Sequence, residues 1–217
     1  MRPRVALIHA LAHSVAPINA ELARAWPACE RMNLLDDSLS ADLARSGAGL
    51  DTAMHQRFEV LASYAEGTGA QAILFTCSAF GSCIDAVAAR RPHMPVLKPN
   101  EAMVAEAVAT GKRIGLIASF APTLVTMPLE FPVDTELVTK MAEGALQALN
   151  RGDTAGHDAC VVSAALWLQR QGCEVLALAQ FSMARAEFAV REALQLPVLT
   201  TPASAVRALQ MRLEAVD

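Results

Sequence analysis

Short apolar runs of strand length alternate along the chain with longer segments whose apolar residues recur at helical spacing. "RVALIHA" (4–10) predicts a strand, "APINAELARAW" (16–26) a helix and "CERMNLL" (29–35) a second strand. "LDTAMHQRFEVLASYAEGTG" (50–69) predicts a helix closed by glycine, "QAILFT" (71–76) a strand, and "GSCIDAVAARR" (81–91) a helix stopped by Pro92. "MPVLK" (94–98) is a short strand, and "NEAMVAEAVATG" (100–111) a helix with Asn100 placed as its N-cap. "KRIGLIAS" (112–119) is again a strand. Helices are predicted over 136–150 and 157–171, a strand over 174–180, a helix over 182–195, a strand over 197–201 and a terminal helix from 202. Strands that alternate with helices build parallel sheets from βαβ units, so the expected class is α/β.

The pattern repeats. "GAQAILFTCSAFGSCIDAV" from Gly69 lies over "GCEVLALAQFSMARAEFAV" from Gly172, 103 positions on, and "MPVL" (94–97) over "LPVL" (196–199). "RVALIHALAHSVAPINAEL" from Arg4 lies over "RIGLIASFAPTLVTMPLEF" from Arg113, at an offset of 109. Three blocks in one order point to a duplication and two pseudo-symmetric lobes, each a mainly parallel sheet flanked by helices. The expected lobes are 1–98 and 99–201, with the C-terminal helix 202–217 packing back on the first. Ligands of open α/β sheets sit beyond the carboxyl ends of the strands. Two such lobes facing each other would place a site in the cleft between them, with Cys77 from one and Gln180 from the other.

Composition narrows the function. Apolar residues make up 53% and charged residues 18%, as expected for sheets covered on both faces. The net charge is −4, with no basic stripe interleaved with aromatics, which argues against nucleic acid as a partner. The longest uncharged stretch (67–84) contains Gly, Thr, Gln and Ser and reads as strand, loop and helix rather than a membrane span. Five cysteines, no CxxC pair and no secretory signal fit reduced thiols in a cytoplasm. No GxGxxG, Walker loop or HExxH occurs, and His157 with Cys160 is too little for a metal site.

Cys77 ends a strand where a site is expected. It has two readings, a small buried apolar side chain or a reagent. Its place and its neighbours Thr76 and Ser78 favour the second. A following helix N-terminus would lower the thiol's pKa and hold an anion, which suits a thiolate that takes a proton from carbon. His9 ends the first strand, either as a proton relay or carboxylate ligand or as a packed, hydrogen-bonded histidine. Ser119 occupies the repeat-equivalent strand end, with Ala10 as its partner, and N-capping of the next helix is a role open to it and more so to Thr123. Ser182 is expected to cap the helix after Gln180 and to face the site. Cys83 reads as core, and Cys29 and Cys160 have no motif around them.

The chain resembles the aspartate/glutamate/hydantoin racemase superfamily nearly end to end. The resemblance rests on "RVALIHAL", "TCSA" with Cys77, "MPVLKPNEAMVAEA", "IGLIASFAPT" and "LPVLTTPASAVRAL". It implies two α/β lobes, an isomerase that needs no cofactor, a small carboxylate-containing substrate and a homodimer. Racemases of this type use two cysteines, one thiolate removing the α-proton and the other thiol returning a proton on the opposite face. The implied site is Cys77 as acid/base, with His9, Thr76, Ser78, Ala79, Ser119, Thr123, Gln180, Phe181 and Ser182 around the substrate. The chain departs from the pattern at the second cysteine, where it has Ala179-Gln180-Phe181. Cys173 lies seven residues before Gln180, roughly 20 Å away at strand rise, and cannot replace it. A one-cysteine lyase, similar to the arylmalonate decarboxylases, is the alternative, although their single thiol lies in the other lobe. A carboxylate-binding or regulatory protein without catalysis is a third reading.

Overall fold

Apolar runs with no polar alternation become the central strands, because helices cover both faces of the sheet they enter. In the computed structural model, which describes residues 2–46 and 49–214, β1 (Arg4–His9), β3 (Ala72–Phe75), β5 (Ile114–Ala118) and β7 (Val175–Leu178) are buried almost throughout. The chain divides into two compact units, Met1–Pro99 with Ala205–Asp217, and Asn100–Ser204.

The first unit holds a four-stranded sheet in the order β2-β1-β3-β4, with β2 at Glu30–Leu35 and β4 at Val96–Leu97. All pairings are parallel, and Ile8 of β1 stands opposite Phe75 of β3. Its helices are α1 (Val15–Ala25), α2 (Ser38–Ser46), α3 (Thr52–Gly67) and α4 (Gly81–Ala89). The α3 helix starts at Asp51, whose carboxylate accepts the Met54 N–H and so satisfies one free donor of the first turn. Phe58 of α3 stacks on Phe75 at a centroid distance of 5.2 Å and meets Phe80 at 4.9 Å, fixing the helix layer over the end of β3.

The second unit repeats the plan in the order β6-β5-β7-β8, again all parallel, with β6 at Leu137–Met141 and β8 at Val198–Thr200. Its helices are α5 (Glu101–Ala109), α6 (Ala121–Thr126), α7 (Ala145–Asn150), α8 (Thr154–Arg170) and α9 (Glu187–Leu194). Gly115 of β5 lets α8 lie close on the sheet. A Cβ there would meet Leu176 at 2.8 Å and Leu168 at 3.0 Å. The last helix, α10 (Thr201–Glu214), starts in the second unit, where Ser204 donates to Glu106 at 2.6 Å. Its later residues are assigned to the first unit, where the Gln210 amide reaches the Ala25 carbonyl at 3.4 Å. Residues 215–217 of the predicted terminal helix, and Met1 of the predicted first lobe, lie outside the described residues.

The structure corrects several expectations. The predicted helix over 136–150 is strand β6 followed by α7. Val138 and Thr139 favour the pleated surface, and Gly144, at φ 79°, separates the two elements. α2 and α6 lie where no element was predicted. Asn100 occupies the N-cap position of α5 but makes no capping bond. Its amide points to Glu130 at 3.5 Å. The uncharged stretch 67–84 resolves into a helix end, β3, a 3₁₀ turn and the start of α4, and no helix among the described residues is long and apolar enough to cross a membrane.

Candidate active site

In the first unit the sequence places Cys77 immediately after β3, as the residue before a 3₁₀ turn, Ser78–Phe80, that leads into α4. Its side chain is half-buried and packs against the core that holds Phe75 and Phe80. Burial pushes the Cys77 thiol up, against the opposing pull of the Ala79 backbone N–H. This reverses the expected lowering by a helix N-terminus. The 3₁₀ turn separates the sulfur from the α-helix, and a helix dipole acts only within about its first turn. Ser40 of α2 also approaches the sulfur and would lower the pKa if it donated there. Its single proton, however, goes to the Ala10 carbonyl at 3.1 Å. Burial is therefore the effect that sets the direction.

His9, expected either as a relay or ligand or as a packed, hydrogen-bonded histidine, is fully buried with both ring nitrogens occupied. Nδ1 meets Thr76 Oγ1 at 2.8 Å and Nε2 meets Asn33 Oδ1 at 3.0 Å. The Asn33 carbonyl oxygen can only accept, so Nε2 carries the proton and Thr76 donates to Nδ1. Asn19 of α1 completes the chain, with its amide donating to Asn33 Oδ1 at 2.7 Å and to the Val15 carbonyl at 2.8 Å. Burial pushes His9 below its ordinary value of 6.5, the bond to Asn33 opposing, so the ring is neutral. His9 and Thr76 are thus mutually satisfied beneath the strand ends, and neither has a free polar atom for a ligand. They pin the residue that precedes Cys77. Ser78 is half-buried with no hydrogen-bond partner among the described residues, and Ala79 is exposed.

The second unit carries the matching strand ends. Ser119 follows β5 and Gln180 follows β7, neighbouring strands joined by the bond from the Ala179 N–H to the Ile117 carbonyl at 2.9 Å. Gln180 Oε1 accepts from the Ser119 N–H at 2.7 Å and from the Ser119 hydroxyl at 2.9 Å. Ser119 was expected to bind a carboxylate, but both of its donors are spent on Gln180. Thr123 is buried in α6 and makes no capping bond. Phe181 is buried, and Ser182 is half-buried inside a 3₁₀ helix, Phe181–Ala186, without the expected cap. Cys173 is buried before the start of β7, at the opposite end of that strand from Gln180. Cys83 lies in the core, as expected.

Sequence reasoning missed Ser40, Asn33 and Asn19. A signal for Ser40 existed. Asp36 accepts from both the N–H and the hydroxyl of Ser38, the Asx turn that opens α2, and "DSLSADL" carries that pattern. No group of three or more His, Cys, Asp or Glu residues among those described could hold a metal ion.

The model of the Asp/Glu/hydantoin racemase family matches residues 12–209. The chain belongs to that family. Membership makes it a racemase-type enzyme. No curated protein matches the chain. Among solved structures, an aspartate racemase homologue from Pyrococcus horikoshii OT3 superposes with a TM-score of 0.74 at 14% identity, covering 100% of this chain and 99% of that one. The allantoin racemase of Klebsiella pneumoniae gives 0.70 at 18% identity, over 98% and 88% of the two chains. The glutamate racemase of Thermus thermophilus, in complex with β-chloro-D-alanine, gives 0.69 at 20% identity, over 99% and 81%. At these identities the superpositions establish the two-lobed α/β racemase fold.

Proposed function

We propose that this protein is a cofactor-independent enzyme that moves a proton at the carbon next to a carboxylate or related carbonyl of a small substrate, with Cys77 as the acid/base. The observation that carries this reading is the place of Cys77. It is the one cysteine at the carboxyl end of a central strand, half-buried beside the unpartnered Ser78 hydroxyl, in a chain of a racemase family. Burial keeps the thiol protonated near neutral pH, so it enters the reaction as a proton donor. Once the substrate has lost its α-proton to a solvent base, or its carboxylate as CO₂, the S–H proton passes to the carbanionic carbon, and water supplies the proton that restores the thiol. The thiolate left behind is stabilised by the Ala79 N–H until it is reprotonated. In each unit the polar groups after the strand ends, Ser78 in the first and Gln180 and Ser182 in the second, are the candidates for contacting substrate oxygens. The five free cysteines support a reducing compartment such as the cytoplasm.

Isomerase is the family's label. A one-thiol lyase is the second reading, favoured by Gln180 at the position that repeats Cys77. A carboxamide has no proton to give near neutral pH, so nothing at that strand end supplies the second proton that racemisation requires. Incubating small mono- and dicarboxylates in deuterium oxide separates the two. A racemase-type reaction places deuterium at the α-carbon of an intact substrate, whereas a decarboxylation leaves one deuterium in a product that has lost CO₂. Unchanged deuterium incorporation by Cys77→Ala would overturn the assignment of the acid/base.

A further inference from the structure

Gln180 stands where the internal repeat places a counterpart of Cys77, and its side chain is held in one orientation. The Ser119 backbone N–H can only donate, so the amide atom 2.7 Å from it must be the oxygen. The Ser119 hydroxyl, 2.9 Å away, donates to the same oxygen because Gln180 Oε1 offers only lone pairs. With the oxygen doubly occupied, Gln180 has no acceptor left to offer. Its Nε2 has no partner among the described residues, so the two N–H groups are what the half-buried side chain presents.

We infer that Gln180 is a fixed donor for a substrate oxygen, a carboxylate or an imide carbonyl, and that Ser119 is the positioning residue that turns its amide to this role. The inference rests on the proposed function in taking the end of β7 as a substrate-contacting position. It adds a selectivity that the proposal lacked. A glutamine free to flip accepts from an ammonium as readily as it donates to a carboxylate. Held by Ser119, it rejects the ammonium, so this position recognises the acid or carbonyl part of a substrate and places no demand for an amino group. It also explains why the second unit keeps a serine at the end of β5 where the first has Ala10 at the repeat-equivalent position.

The test is made in the Cys77→Ala protein, where proton transfer is removed and Gln180 is intact, so it reads binding independently of turnover. The Gln180 side-chain NH₂ resonances are identified by their loss in Gln180→Met and followed in ¹H–¹⁵N spectra. The probes are propionate, hydantoin and propylammonium. Propionate or hydantoin moves the pair and propylammonium does not, and whichever moves it tells a charged oxygen from a neutral one. Gln180→Glu weakens binding by about tenfold or more if the active probe is propionate, the value of a hydrogen bond to a charged group, and several-fold if it is the neutral hydantoin. Ser119→Ala broadens the pair by freeing amide rotation and weakens binding several-fold, and Ser119→Thr restores both. A pair that moves only with propylammonium, or with none of the three, overturns the donor role. An unchanged pair and unchanged affinity in Ser119→Ala overturn the positioning role.

Discussion

Replacing His9 by glutamine removes a titratable group while keeping one acceptor for Thr76 and one donor for Asn33. In the folded protein His9 is buried, neutral and held below its ordinary value of 6.5. Unfolded, it titrates near that value. Between the lowered folded value and 6.5 the unfolded chain binds the extra proton, so stability rises with pH. The contribution of His9 is complete above 6.5 and is lost as the pH falls below it, with a slope of at most about 1.4 kcal/mol per pH unit. His9→Gln is therefore expected to flatten the stability profile over that window. At about pH 8 it costs under about 1.5 kcal/mol, because both hydrogen bonds at 2.8 and 3.0 Å have replacements. Urea unfolding followed by Trp26 fluorescence, in a Trp167→Phe background, reports on the first unit across this range. Equal pH slopes for the parent and His9→Gln would refute the reasoning, since the neutral buried ring would then carry no proton linkage.

Two further predictions follow from charge and burial. Alkylation of Cys77 by iodoacetamide, taken as the difference between parent and Cys77→Ser, is slow near neutral pH and rises through a midpoint above the ordinary thiol value of 9.0. A midpoint below it, measured by mass spectrometry of the modified peptide, would show that the turn after β3 overrides burial. Arg91 is buried and holds Glu59 at 2.7 Å and Glu66 at 3.0 Å. Arg91→Met leaves Glu59 with Arg90 at 3.3 Å and Glu66 with His93 at 2.9 Å, and costs about 1–3 kcal/mol, a fall in Tm of roughly 2–12 °C by calorimetry, and a change of under about 1 °C would refute it.

What the sequence disclosed depended on how local the cause was. The central strands were legible because "AILF" and "VLAL" have no polar position to place on a solvated face, and the repeat then fixed how the two sheets correspond. β6 was not legible. Its residues are only half-buried or exposed because they form the edge of a sheet, and "ELVTKMAEGALQALN" read alone has helical spacing. The site divides in the same way. Cys77, Ser119 and Gln180 could be placed by counting from strand ends. The direction of the thiol's shift could not, since it depends on how the fold buries the sulfur and on three residues of 3₁₀ turn. His9 remained open between two roles because its partners, Thr76 just after β3 and Asn33 in β2, lie 67 and 24 residues away.

The edge strands bear on how so apolar a chain limits edge-to-edge strand pairing. An open sheet edge is a template for a strand of another molecule. β4 and β8 have two and three residues, too few to pair firmly. The longer edges are marked by charge. On β2, Glu30 pairs with Arg4 at 2.6 Å and Arg31 reaches the Asn19 carbonyl at 2.8 Å. On β6, Lys140 lies over the Trp167 ring at 5.0 Å. The continuous apolar strands are kept to the interior of each sheet, and the ladders left unfinished are either brief or guarded by ionic side chains that a recruited strand would have to desolvate.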